Sequence, residues 1–150
     1  GEKFEVPTDN DYLVPLGKAK KVREGDDITI IAYSISVKLA LSAADYLSKT
    51  YDVKSEVIDL RTLRPLDLET IISSVKKTNR VIVVEEGWSV CGIASEISAE
   101  IMEKAFDELD APVIRVTGKN VPMPYAANLE KLALPSIDDI VKAAKKVCYI

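Results

Sequence analysis

Two adjacent carboxylates, Glu85 and Glu86, stand between the apolar run Val81-Ile82-Val83-Val84 and Gly87-Trp88. Carboxyls just past a buried parallel strand are placed where open α/β sheets gather ligands, and a pair of them could exchange protons with a substrate. Neighbours in an extended chain point apart, however, which makes a poor catalytic dyad. The plainer expectation is a solvated loop in which one carboxylate caps something nearby. Cys91 offers a different chemistry. It follows a strand and a loop and opens a helix, with Gly92 beside it. A helix N-terminus lowers a thiol pKa and presents N–H groups to an oxyanion, as in a cysteine hydrolase of α/β fold. The chain contains no histidine. Nothing here can supply an imidazole base, complete a Ser-His-Asp or Cys-His set, or ligate zinc through His. Cys91 is therefore expected to be a packed or idle thiol. No catalytic residue, no metal ligand and no cofactor-binding residue is assigned. Neither GxGxxG nor GxxxxGK[ST] occurs, so nucleotide binding has no fingerprint.

The elements that would position these groups alternate. Ala19 to Arg23 reads as a short strand, Glu24-Gly25-Asp26-Asp27 as a turn, and Ile28 to Tyr33 as a β-branched strand, so the two strands are expected to pair as a hairpin. Ser34 or Ser36 is placed to cap the next helix, whose stripe is Val37, Leu41, Ala44 and Leu47. Val53 to Leu60 is a strand. Asp67 is a candidate N-cap for a helix turning Leu68, Ile71, Ile72 and Val75 inward. Arg80 to Val84 is a short strand of the kind buried on both faces. Cys91 to Phe106 is a helix with Ile93, Ile97, Ile101 and Met102 apolar, Pro112 to Val116 a strand, and Asp138 to Val147 the closing helix. This alternation predicts an α/β layer fold with right-handed crossovers and helices on both faces of a mostly parallel sheet.

Length and composition bound the answer. The chain has 150 residues, 47% apolar and 29% charged, with net charge −4, which suits one globular domain. Lys and Arg are scattered, which argues against a nucleic-acid partner. No apolar run reaches the length of a membrane span, so no membrane partner is expected. Cys91 and Cys148 form no CxxC, and a reduced intracellular setting is expected. Residues 1–12 read as an exposed arm and 13–150 as one domain.

Three segments carry a resemblance: Val57-Ile58-Asp59-Leu60-Arg61-Thr62-Leu63-Arg64-Pro65-Leu66-Asp67, Val81 to Trp88, and Val121-Pro122-Met123-Pro124-Tyr125-Ala126. Together they resemble the β subunits of the thiamine-diphosphate-dependent 2-oxo acid dehydrogenases, of the pyruvate dehydrogenase E1β kind. The resemblance falls on the C-terminal, transketolase C-terminal-type half of that subunit and runs from about Leu13 to Ile150. It implies a three-layer sandwich around a five-stranded, mostly parallel sheet with an antiparallel edge strand. It also implies an α2β2 enzyme that decarboxylates pyruvate and reductively acetylates E2 lipoyl groups. Thiamine diphosphate and Mg2+ would lie between the α subunit and the β N-terminal half, and the isolated domain would be inactive. The implied partners are the E1 α subunit, a second β subunit and the E2 peripheral-subunit-binding domain. The E2 contact would fall on Asp110, in Leu109-Asp110-Ala111-Pro112, and on the terminal carboxylate of Ile150. The plain alternatives are a turn residue for Asp110 and a frayed end for Ile150.

Glu86, Trp88, Met123 and Tyr125 are candidates for a subunit interface, where Trp, Tyr and Met are favoured. Bacterial cytoplasm and mitochondrial matrix both fit. Branched-chain 2-oxo acid and acetoin dehydrogenases have similar β subunits. A stand-alone flavodoxin-like binding module and a Cys91 hydrolase are the readings from other classes.

Overall fold

The computed structural model describes residues 5, 7, 8 and 12–150. The expected arm over residues 1–12 lies largely outside them. Five strands form one sheet in the order β1-β3-β2-β4-β5. They are β1 (Lys20–Arg23), β2 (Ile28–Ala32), β3 (Ser55–Asp59), β4 (Val81–Trp88) and β5 (Ile114–Gly118). Four run parallel, and β1 pairs antiparallel with β3 at one edge. The helices are α1 (Ser36–Tyr51), α2 (Leu68–Thr78), α3 (Ile93–Ala105), α4 (Ala127–Ala133) and α5 (Ile137–Cys148).

The sheet separates two cores. Ile28, Ile30 and Ala32 of β2 face Ala40, Ala44 and Leu47 of α1 and Ile140, Ala144 and Val147 of α5. Ile31, Ile58 and Val83 face Ile71 and Val75 of α2 and Ile97 and Ile101 of α3. This is the three-layer α/β sandwich expected from the alternating pattern.

The expected hairpin does not form, because β1 pairs with β3 and not with β2. Every residue of β2 is buried, and both its edges are occupied by parallel neighbours. Lys20 and Lys21 suit only an edge. The link from β1 to β2 must then cross the start of β3. Gly25 permits this, since a Cβ there would stand 2.3 Å from the Ser55 carbonyl carbon.

Local details also depart from expectation. Neither Ser34 nor Ser36 caps α1 through its side chain; the Ser34 and Ile35 carbonyls accept from Val37 and Lys38 N–H instead. Asp67 does cap α2, accepting from Thr70 N at 3.2 Å, and it also accepts from Ala19 N at 2.9 Å. Burial alone would raise this carboxyl, yet those hydrogen bonds hold it below its usual value. Met102 is exposed, unlike its neighbours Ile97 and Ile101. The helix α4 was not expected.

Candidate functional site

The candidate residues fall at opposite ends of the sheet. Strand β4 continues through Trp88, so Glu85 to Trp88 belong to the strand and not to a solvated loop. Alternation along it sends Glu85 inward, 1% exposed, and leaves Glu86 exposed. The two carboxylates are thus separated and form no dyad. Register pairs Trp88 with Gly118 at the C-terminal edge. The chain then runs from β5 into the loop carrying Met123 and Tyr125. Trp88 and Met123 are about half exposed and Tyr125 fully so. Beside Glu86 lies a cavity of about 550 Å³, lined also by Ile35, Leu39, Lys131 and Leu134. An exposed apolar rim of this kind at one sheet edge fits a protein interface.

Glu85 meets Tyr33 from the end of β2. The Tyr33 hydroxyl donates to Oε2 across 3.4 Å, while Oε1 is buried with no hydrogen-bond partner among the described residues. Burial first, and then the Glu85 charge, raise the Tyr33 pKa above its usual value. Gly92, the N-cap of α3, packs against that carboxylate; a Cβ there would lie 2.1 Å from Oε1. Cys91 is exposed and adopts φ +57°. The helix expected from Cys91 begins instead at Ile93, with Gly92 as its N-cap, so Cys91 stands just ahead of it, and the group behind that helix end is a carboxylate.

A diphosphate does not fit here. At α3 it would face Glu85, and at α1 the Val37 and Lys38 N–H groups are spent on Ser34 and Ile35 carbonyls. Among the described residues no group of three or more His, Cys, Asp or Glu could hold a metal ion.

The loop that holds Asp110 is tied to the chain end, through Tyr149, at the N-terminal end of the sheet. The Tyr149 hydroxyl donates to the Asp110 carbonyl at 3.0 Å, and Ile150 N donates to Lys145 O at 3.1 Å. The last residues therefore fold back onto the loop before β5. Asp110 N–H donates to Asn79 O at 2.8 Å, and Asn79 Nδ2 donates to Glu108 O at 2.7 Å. The Asp110 side chain is about half exposed; Arg80 Nη2 lies 3.0 Å from its Oδ2. Its Oδ1 has no partner among the described residues. Sequence reasoning missed this ion pair, because nothing local joins Arg80 to Asp110. A cavity of about 440 Å³ lies alongside, lined by Asp110 with Met102, Phe106 and Pro112. The exposure of Met102 belongs to this surface.

A mostly parallel sheet with one antiparallel edge strand, clad by two helix layers and with its candidate surfaces at the two sheet ends, defines a three-layer α/β domain. The chain belongs to the family described as transketolase, C-terminal domain, whose model matches residues 17–140. Among curated proteins it is similar to the pyruvate dehydrogenase E1 component subunit beta of Rickettsia bellii, 57% identical over 150 residues covering 100% of this chain and 46% of that protein. It is also similar to the mitochondrial subunit beta-2 of Oryza sativa, 53% identical over 99% of this chain and 40% of that protein. The chain thus spans less than half the length of these relatives. A solved split gene transketolase, an inactive beta4 tetramer, matches with TM-score 0.75 and 26% identity over 94% of this chain and 44% of that one. No described helix is long and apolar enough to cross a membrane.

Proposed function

We propose that this chain is the C-terminal half of the β subunit of a pyruvate dehydrogenase E1, with residues 13–150 as one domain. In this reading it serves subunit assembly and E2 docking, not the chemistry. The observation that carries the docking role is the Tyr149–Asp110 hydrogen bond, which fastens the last residues beside Asp110. The Asp110 carboxylate, beside an apolar cavity, and the Ile150 carboxylate, one residue past Tyr149, would then be offered to one partner. Arg or Lys on the E2 peripheral-subunit-binding domain would pair with both, and Arg would do so with bidentate geometry.

The opposite end, with Glu86, Trp88, Met123 and Tyr125, is assigned to contacts with the E1 α subunit and a second β subunit. Thiamine diphosphate and Mg2+ belong to the whole α2β2 enzyme and would be held outside this domain. The compartment is bacterial cytoplasm or mitochondrial matrix, in keeping with the sources of the relatives.

The two roles separate experimentally. In full-length β co-expressed with α, Trp88→Asp or Tyr125→Asp should break the tetramer in sedimentation. Asp110→Ala should leave the tetramer intact and weaken E2 binding. Tetramers indifferent to both aromatic changes would remove the assembly role.

A further inference from the structure

The loop between β3 and α2 holds a cation, Arg61, whose side chain forms no ion pair among the described residues. Arg61 adopts φ +57°, a conformation costly for a long side chain. Its backbone is pinned there: Arg61 N donates to Asp59 Oδ1 at 3.0 Å, and Thr62 Oγ1 donates to Pro65 O at 3.0 Å. Arg61 is a partly buried residue, yet its guanidinium makes no side-chain hydrogen bond or ion pair among the described residues.

The same loop receives the incoming chain. Gly17 N donates to Thr62 Oγ1 at 3.0 Å, and Gly17 sits so close to Pro65 that a Cβ would meet Pro65 Cγ at 2.7 Å. Around this crossing Leu13 and Leu16 are 82% and 83% exposed, and Leu63 is exposed as well. An exposed apolar patch at the point of chain entry calls for a cover.

We propose that the cover is the preceding half of the same polypeptide, and that it brings an Asp or Glu carboxylate to Arg61. The occupant follows from the proposed reading that a further half precedes this domain, and from the relatives, of which this chain spans less than half. The charge follows from desolvation. Covering Leu13, Leu16 and Leu63 would remove water from the guanidinium of this partly buried residue, and an unpaired buried cation is strongly disfavoured. Arg64, three residues on and exposed, stays solvated. Arg61 is then the ionic latch between the two halves. This rests on the reading above that a further half precedes the domain; it is independent of E2 docking, because the loop lies at the other end of the sheet from Asp110.

The test uses the full-length β subunit assembled with α. Arg61→Lys is treated with a water-soluble carbodiimide, which joins an amine to a carboxylate in contact, and the linked peptides are identified by mass spectrometry. Arg61→Gln is compared with wild type by hydrogen exchange, with E2-domain affinity measured alongside. The new lysine should link to an Asp or Glu of the preceding half. Arg61→Gln should speed exchange in that half by about tenfold or more, with amides of β2 to β4 and the E2 affinity unchanged. A link to another subunit, or no link together with unchanged exchange, would overturn the latch. Loss of E2 affinity in Asp110→Ala alone would bear only on the docking reading.

Discussion

Removing Lys77 should expose how much the domain depends on one buried carboxylate. Glu56 on β3 is fully buried, and its Oε2 accepts from Lys77. Lys21 Nζ stands 3.2 Å from the other oxygen, and Lys77 also reaches Glu24 at 3.5 Å and Asp26 at 3.7 Å. Burial alone would raise the Glu56 carboxyl; the bonds from Lys77 and then Ser74 outweigh it and hold the pKa at about 2, against an ordinary 4.5. A depression of that size corresponds to about 3 kcal/mol of folded-state stability at neutral pH. Because the folded value is the lower one, the stabilisation is complete above about pH 5 and is lost as pH falls through 4.5 towards 2. Lys77→Met leaves the buried carboxylate with Lys21 as its remaining cation and with Ser74, and should cost about 2–4 kcal/mol at pH 7. Urea unfolding followed by circular dichroism measures it. At pH 3 the gap between wild type and variant should shrink to less than half, since Glu56 is then largely protonated in the unfolded chain. A loss below about 1 kcal/mol at pH 7, or an equal gap at both pH values, would refute the reasoning.

Two further outcomes are expected. Gly92→Ala should lower stability by about 1–3 kcal/mol in thermal or urea unfolding, because its Cβ would lie 2.1 Å from Glu85 Oε1 and 2.5 Å from Trp88 O; an unchanged midpoint would contradict the close packing of α3 on that carboxylate. Cys91→Ser in the full enzyme should keep most turnover, since the helix end it precedes is backed by Glu85 and no histidine is available; a loss beyond about a hundredfold, roughly 2.7 kcal/mol of barrier, would revive the nucleophile reading.

The layers were legible because each strand and helix carries its own period. Val81 to Val84 is apolar throughout and is buried on both faces, and Asp67 caps α2 as its position before Leu68 suggested. Strand order was less legible. Proximity in sequence favoured a β1–β2 hairpin, but β2 is buried along its whole length and needs two parallel neighbours. That demand is tertiary and leaves its only local trace at Gly25. The Glu85-Glu86 segment misled for a related reason: charged residues suggested a loop, whereas β4 runs on beyond the sheet centre to meet Gly118. Asp110 and Ile150 were named through a resemblance. The link between the chain end and the Asp110 loop runs through Tyr149, in a left-handed conformation at the end of α5, φ 58°, which no spacing encodes.

The measurement that bears most directly on the docking role is the affinity of the assembled α2β2 enzyme for the isolated E2 binding domain, by calorimetry at low and high salt. Asp110 is half exposed and shares its Oδ2 with Arg80. Asp110→Ala removes an acceptor and also frees a like charge to face a basic partner, so binding should weaken by about 1–3 kcal/mol, and less at high salt. Deleting Ile150 should weaken it similarly. Arg80→Ala, which unmasks Asp110, should tighten it. Equal affinities for wild type and all three variants at both salt concentrations would contradict the account and leave Asp110 as a turn residue and Ile150 as a chain end.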